Sequence, residues 1–292
     1  MNTIKHQQKE YSSLTGKKVT STASNSLLGF NDPYYAHEAQ MTRLARFVGR
    51  GITPTAYTSL SWMIEFGYMF LEFFKNQGLH VCVELHGKMY PSLIREFYNN
   101  LQCKNGVYQT MVKDRFIILD EDLLVDVGGL ARFDHPYGYF EEKWMSAFER
   151  VKVYRSMLRD SKRLTYTLLA YCWVPRDAHH DEPTEVDMYL MFSLKENLRI
   201  DCPQLILLNM LAFSTSSGAL GYPILISRII EHVLVDLLDT EFLNTNPQQH
   251  FILGQFIHHH LDIYKYDDVW TKWLLILEGY LLSKKTYSFS YN

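Results

Sequence analysis

The signatures of common enzyme and metal-binding families are missing from this sequence. Its 292 residues contain no HExxH, no GxSxG and no GxxxxGK[ST] phosphate loop. The four cysteines lie far apart and form no CxxC pair, which argues against a disulfide framework and against a zinc knuckle. We expect each of them to be a small buried core residue in a reducing compartment, namely Cys82, Cys103, Cys172 and Cys202.

Long hydrophobic runs and a dominant charge are missing as well. No stretch of about 18 apolar residues occurs, so no membrane span or membrane partner is predicted. The N-terminus has no apolar run typical of a signal peptide. The net charge of −3 gives no overall field that attracts nucleic acid, so a nucleic-acid binder would need a local patch. We therefore expect a soluble, intracellular protein, with no signal that separates nucleus from cytoplasm.

A hydrophobic content of 47% is sufficient for a large packed core. Polar composition predicts a flexible N-terminal arm over residues 1–32, followed by a helical domain over 33–238. Residues 239–292 are interpreted as a linker and a helical C-terminal extension. The domain is organised around residues 184–238, where three apolar helices are predicted to begin near Thr184, Asp201–Pro203 and Pro223.

Few segments have the pattern of a strand. Leu79 to Leu85 alternates apolar and other residues, which is typical of a half-buried strand. Residues 107–112 and 115–119 flank Lys113-Asp114 and predict a tight hairpin. A helix capped by Asp120 and closed by Gly128-Gly129 should follow. The predicted fold class is mainly α, a multi-helix domain with a small β-hairpin and short-strand element.

Two groups of residues have the composition of metal sites. Paired metal ions in nucleases and transposases need several converging carboxylates, and this chain has a cluster of five: Asp114, Asp120, Glu121, Asp122 and Asp126. Turn, capping and first-turn positions account for three of them. The histidines, which lie at 179–180 beside Asp181-Glu182 and at 258–260, lack the spacing of ligands. We assign no catalytic residue, no metal site and no cofactor.

Basic residues concentrate in one predicted helix and its end. Six of them fall within the segment 150–163, where a basic stripe could contact phosphates. Nearby acids dilute the stripe, and helix C-termini attract basic residues in any case. The candidate nucleic-acid-binding residues are Arg150, Lys152, Arg155, Arg159, Lys162 and Arg163.

Several blocks together carry a family resemblance. They include VELHGKMYPSLIREFYNNL, the hairpin and capped helix that follow it, a helix that ends in Pro-Arg, and LGYPILISRII. In order and spacing they resemble the plant transposon protein domain found in retroelement-derived open reading frames, over roughly residues 57–238. At Lys113-Asp114 the chain departs from the Gly-containing turn of many relatives. The resemblance implies an origin in a transposable element and implies no enzymatic activity.

The leading hypothesis is a non-enzymatic binding or assembly module whose partners are nucleic acid or further copies of the chain. One alternative is a metal-dependent nuclease or transposase that uses the acidic cluster around Asp120. A second alternative is a nucleic-acid-binding protein that uses the Arg150–Arg163 stripe.

Overall fold

A computed structural model describes residues 32–54, 56–61, 71–133, 169–175, 184–233, 235–245, 263–266 and 269–272. The predicted N-terminal arm lies outside these ranges except for Asp32. The α-helices are α1 His37–Leu44, α2 Leu71–Asn76, α3 His80–Val83, α4 Pro91–Asn100, α5 Glu121–Gly128, α6 Glu185–Lys195, α7 Cys202–Thr215 and α8 Pro223–His232. A 3-10 turn, Pro33–Tyr35, and a π-helical turn, Leu169–Trp173, complete the helical elements within the described ranges.

The strands form three small antiparallel sheets. They are β1 Lys88–Met89, β2 Gln102–Lys104, β3 Val107–Val112, β4 Arg115–Leu119, β5 Leu243–Asn244, β6 Ile263–Tyr266 and β7 Val269–Lys272. One sheet has the order β2-β3-β4, β1 pairs with β5, and β6 pairs with β7. The β1–β5 pair joins parts of the chain that are far apart in sequence.

The prediction of a mainly α fold is wrong, because the structure is mixed α/β, with three small antiparallel sheets among the helices of the described residues. Part of the difference lies in the C-terminal extension, where apolar helices were expected over the segment that contains β6 and β7. Six of the eight residues of these strands are aromatic or β-branched, which favours strands over helices. Tyr266 pairs with Val269 in this two-stranded sheet.

The predicted strand from Leu79 to Leu85 is also wrong, because its first part forms the short helix α3. Leu79, Cys82 and Val83 are buried, whereas His80 and Val81 are exposed. A spacing of three and four residues places one face of a helix against the core. The alternating pattern fitted a strand equally well over so short a segment.

The predicted hairpin and the helix after it are confirmed. Val112 pairs with Arg115 across a two-residue turn in which Lys113 has φ 45° and Asp114 has φ 60°. Positive φ at both positions is the type I′ geometry whose twist matches that of the paired strands. The Asp120 carboxylate accepts a hydrogen bond from the amide of Leu123 at 2.8 Å and caps α5. The helix ends at Gly129 in the left-handed conformation, φ 60°.

The three predicted helices after Thr184 are confirmed and supply much of the core. Thr184 and Asp187 form a reciprocal capping box at the start of α6. Asp201 caps α7 and Pro223 begins α8. Helices α7 and α8 pack against α4 and α5. Within the described ranges, every helix is too short or too polar to span a lipid bilayer.

Candidate binding surface

The acidic cluster around Asp120 is divided among structural contacts. Asp120 caps α5, and the next two residues, Glu121 and Asp122, both pair with the guanidinium of Arg132. Arg132 lies 2.6 Å from the Glu121 carboxylate and 2.7 Å from that of Asp122. Over the described ranges, no group of three or more His, Cys, Asp or Glu side chains has the geometry to hold a metal ion. The geometry expected of a two-metal site is therefore not formed by these acids.

A further acid, Asp201, lies close to this ion-pair group but belongs to the core. Its side chain is only 6% exposed, and its carboxylate accepts a hydrogen bond from the Gln204 amide at 3.2 Å. Burial raises the pKa of Asp201 to about 6, while the Gln204 amide and the charge of Arg132 act in the opposite direction. The group is a helix cap held at an energetic cost near neutral pH.

Several cations of the described part of the chain are used inside the fold. The Arg43 guanidinium donates to the Asn99 carbonyl at the end of α4 and stacks 3.7 Å from the Tyr34 ring centroid. Arg50 donates to the Phe213 carbonyl near the end of α7 at 2.9 Å. Carbonyl groups at a helix C-terminus lack intrahelical donors, so these arginines complete the two helices.

The residues proposed for nucleic-acid contact, Arg150, Lys152, Arg155, Arg159, Lys162 and Arg163, all lie outside the described residues. The histidines at 179–180 and 258–260 also lie outside them. The arrangement of these two groups stays a prediction.

The predicted burial of the cysteines is confirmed for three of the four residues. Cys82, Cys172 and Cys202 are buried thiols, whereas Cys103 on β2 is half-buried. Burial raises the pKa of the Cys82 thiol to about 12 and raises that of Cys172 as well. The Cys172 Sγ atom lies 3.4 Å from the Ala56 carbonyl oxygen, to which a thiol can donate. These cysteines are protonated packing residues at neutral pH.

The most unusual surface of the described structure is the segment 236–245, which we name the acidic ledge. Its exposed fractions are 92% for Leu238, 44% for Phe242 and 56% for Leu243. Within the described ranges, the other exposed large apolar side chains are Met41, Val48 and Val81, which lie in other segments. Single exposed apolar residues are ordinary on protein surfaces, but a cluster of them marks an interaction site more often.

The first half of the acidic ledge is held by a lysine from the β3–β4 turn. The Lys113 ammonium donates to the Asp236 carbonyl at 2.8 Å and to the Thr240 hydroxyl at 2.7 Å. The Lys113 amide itself donates to Glu96 at 2.8 Å, so the turn is fixed to α4. The ledge is thus joined through one side chain to a rigid hairpin.

The second half of the ledge is held by backbone pairing with β1. Lys88 lies opposite Asn244 and Met89 opposite Leu243. The Thr245 amide donates to the Gly87 carbonyl at 2.9 Å, and the Gly87 amide donates to the Thr245 hydroxyl at 2.9 Å. Because both halves are anchored, the exposed apolar side chains belong to an ordered segment.

Aromatic contacts orient Phe242 on this surface. The Lys88 ammonium lies 4.5 Å from the Phe242 ring centroid, a cation–π arrangement. The Tyr90 ring packs edge-on at 6.1 Å from the same ring. Phe242 therefore presents a defined face to solvent.

The outer edge of β5 has backbone groups that its pairing with β1 does not use. In an antiparallel pair, residues that exchange backbone hydrogen bonds alternate with residues whose amide and carbonyl point away. The Thr245 amide donates to the Gly87 carbonyl, so Thr245 and, two residues before it, Leu243 are the residues that face β1 with their backbone groups. Phe242 and Asn244 then point their amides and carbonyls to the other side. No described residue forms a backbone hydrogen bond with them.

The ledge is acidic. Its side chains include Asp236, Asp239 and Glu241 and no basic residue. The surrounding charges are Lys88, Lys113 and Glu96, together with the Arg228–Glu231 pair, whose nitrogen and oxygen atoms lie 3.8 Å apart. That pair cancels, so four carboxylates remain against two ammonium groups. The surface that surrounds the exposed apolar side chains is net negative.

Sequence reasoning missed this surface because the ledge spans the predicted boundary at 238–239 and its second half was interpreted as a linker. An available signal was the alternation of acids with Leu238, Phe242 and Leu243, which is unusual for a solvated linker. In comparisons with known proteins, no family model, curated protein or solved structure matches this chain. The resemblance to the plant transposon protein domain therefore stays a prediction from the sequence blocks.

Proposed function

We propose that this chain is a non-enzymatic binding or assembly module and that the acidic ledge is its binding surface. The observation that carries the proposal is that Leu238, Phe242 and Leu243 are all exposed within six residues of one segment, which is anchored by Lys113 and by β1. Burying a large apolar side chain contributes roughly 1.5–3 kcal/mol. A surface that is already ordered also loses less conformational entropy on binding.

The origin in a plant transposable element is part of this proposal. It is supported by the order and spacing of the sequence blocks within residues 57–238, which resemble the plant transposon protein domain. That resemblance implies no catalytic residue, which agrees with the assignment of a binding role.

The nuclease alternative receives no support from the described acids around Asp120. It requires carboxylates that are available to metal ions, whereas Asp120 caps α5 and both Glu121 and Asp122 pair with Arg132. The nucleic-acid alternative rests on the six basic residues in the segment from Arg150 to Arg163. Phosphate contacts of that kind would depend strongly on salt concentration.

Light scattering after size exclusion, combined with fluorescence anisotropy of labelled oligonucleotides and labelled peptides, tests the proposed function. The wild-type chain is expected to self-associate or to bind an added polymer. Replacing Leu238 and Phe242 together by serine should remove an association that uses the ledge, because the apolar contact is lost. In a matched control, serine replaces Met41 and Val48, which are also exposed apolar residues. This variant should leave the association intact.

Two results would contradict the proposal. One is a chain that stays monomeric at every concentration and binds neither oligonucleotide nor polypeptide. The other is magnesium-dependent cleavage of DNA that the Asp122→Ala variant loses while it stays folded.

A further inference from the structure

The outer edge of β5 is a strand edge with apolar side chains around it. Phe242 and Asn244 present their amide and carbonyl groups on the side opposite β1. An exposed edge of this kind is a template for the addition of another strand. In that mode of binding, backbone hydrogen bonds supply affinity and the side chains beside the edge supply specificity.

The net negative charge of the ledge favours one kind of added strand over another. Asp239 and Glu241 precede β5 directly, and the four carboxylates of this surface exceed its two ammonium groups. A second copy that paired through its own β5 would bring another net negative ledge to the same interface. Like charges at an interface are unfavourable, whereas a cationic strand is attracted.

The apolar side chains define the rest of the partner. Leu238, Phe242 and Leu243 offer contact area that lysine or arginine alone would cover poorly. In an extended peptide, alternate side chains point to opposite faces, so one face can be apolar while the other carries charge. The chemistry that fits is an extended segment that alternates basic and aliphatic residues.

Resting on the proposed function, we infer that the acidic ledge binds an extended cationic polypeptide segment, which adds to β5 as a further strand. The Phe242 and Asn244 backbone groups pair with this segment, and Asp239 and Glu241 attract its basic residues. Its aliphatic residues lie on the face of the sheet that carries Phe242, because the neighbouring Leu243 points to the opposite face.

The test uses the full chain and a short fluorescein-labelled peptide of alternating lysine and valine. The expected result is saturable binding in fluorescence anisotropy, which weakens by about tenfold or more as NaCl rises from about 50 to about 500 mM. A peptide in which glutamate replaces lysine is the matched control and should not bind. Equal binding of the two peptides would overturn the assignment of a cationic partner.

Two variants locate the peptide. Asn244→Pro removes the outward amide and leaves the amides of Leu243 and Thr245 in place, since proline is tolerated where an edge amide faces solvent. Asp239→Lys reverses one charge of the ledge. Each should weaken binding by about tenfold, while Asp126→Lys, which changes an exposed acid on α5, should have no effect.

Unchanged binding in both ledge variants, with the thermal transition also unchanged, would overturn the inference. Light scattering on the same samples tests whether a second copy of the chain occupies the edge of β5. A wild-type dimer that Asn244→Pro dissociates, without any binding of the lysine peptide, would show that a second copy occupies the edge. That outcome would overturn the cationic partner and retain the proposed function.

Discussion

Acidic side chains at helix ends have different electrostatic roles in this protein. Asp120 caps α5 from a partly exposed position, whereas Asp201 caps α7 from within the core. A capping carboxylate accepts amide hydrogen bonds and faces the positive end of the helix dipole. Burial opposes the charge of Asp201, so its pKa is raised to about 6. Its contribution to stability must therefore depend on pH.

Replacing Asp201 by asparagine should stabilise the protein at pH 8. Folding raises the pKa of this carboxyl from 3.8 to about 6, so the folded state binds its proton more tightly than the unfolded chain. The stability that the folded state gains by binding this proton is fully present below about pH 4 and is lost as the pH rises through about 6. Asparagine keeps the capping oxygen without the charge. Urea unfolding should show a gain of about 1–3 kcal/mol at pH 8 and almost none at pH 4.

The control is Asp201→Ala, which removes the acceptor for the Gln204 amide and should lose the cap at both pH values. A gain for asparagine that is the same at pH 4 and pH 8 would contradict the account of a buried, charged cap.

Secondary-structure elements were predictable where one local rule decided them. Asp120, Thr184 and Asp201 are caps in the sequence pattern and in the structure. The helix α3 was not predictable, because four residues satisfy an alternating pattern and a helical one equally well. Its outcome depends on tertiary packing against the π-helical turn Leu169–Trp173.

A substitution at Gly129 tests how closely the end of α5 packs against Val81 on α3. Gly129 has φ 60°, and a Cβ atom there would lie 2.5 Å from the Cβ of Val81. Gly129→Ala should therefore destabilise the protein by about 2–4 kcal/mol, because left-handed backbone strain and overpacking add. Thermal and urea unfolding provide the measurement.

Gly49→Ala is the matched control, since no atom lies within 4 Å of the added methyl group. Equal stability of the two variants would show that the end of α5 does not pack against Val81 in solution.

At the scale of the whole molecule, the acidic ledge depends on contacts that are distant in sequence. Lys113 reaches Asp236 and Thr240, and Gly87 pairs with Thr245. No local rule connects these segments, so the sequence alone predicted a linker where the structure has an anchored surface. The composition of the ledge was visible in the sequence, but its order and exposure were not.

Amide exchange of residues 242–245, followed by NMR, tests whether β5 is an ordered strand with a free outer edge. We expect slow exchange for Leu243 and Thr245, whose amides pair with β1, and fast exchange for Phe242 and Asn244, whose amides point outward. Saturation with the lysine–valine peptide should slow exchange at Asn244. Exchange of all four amides at the rate of an unfolded chain would contradict an ordered binding surface, and protection of Asn244 without peptide would contradict a free edge.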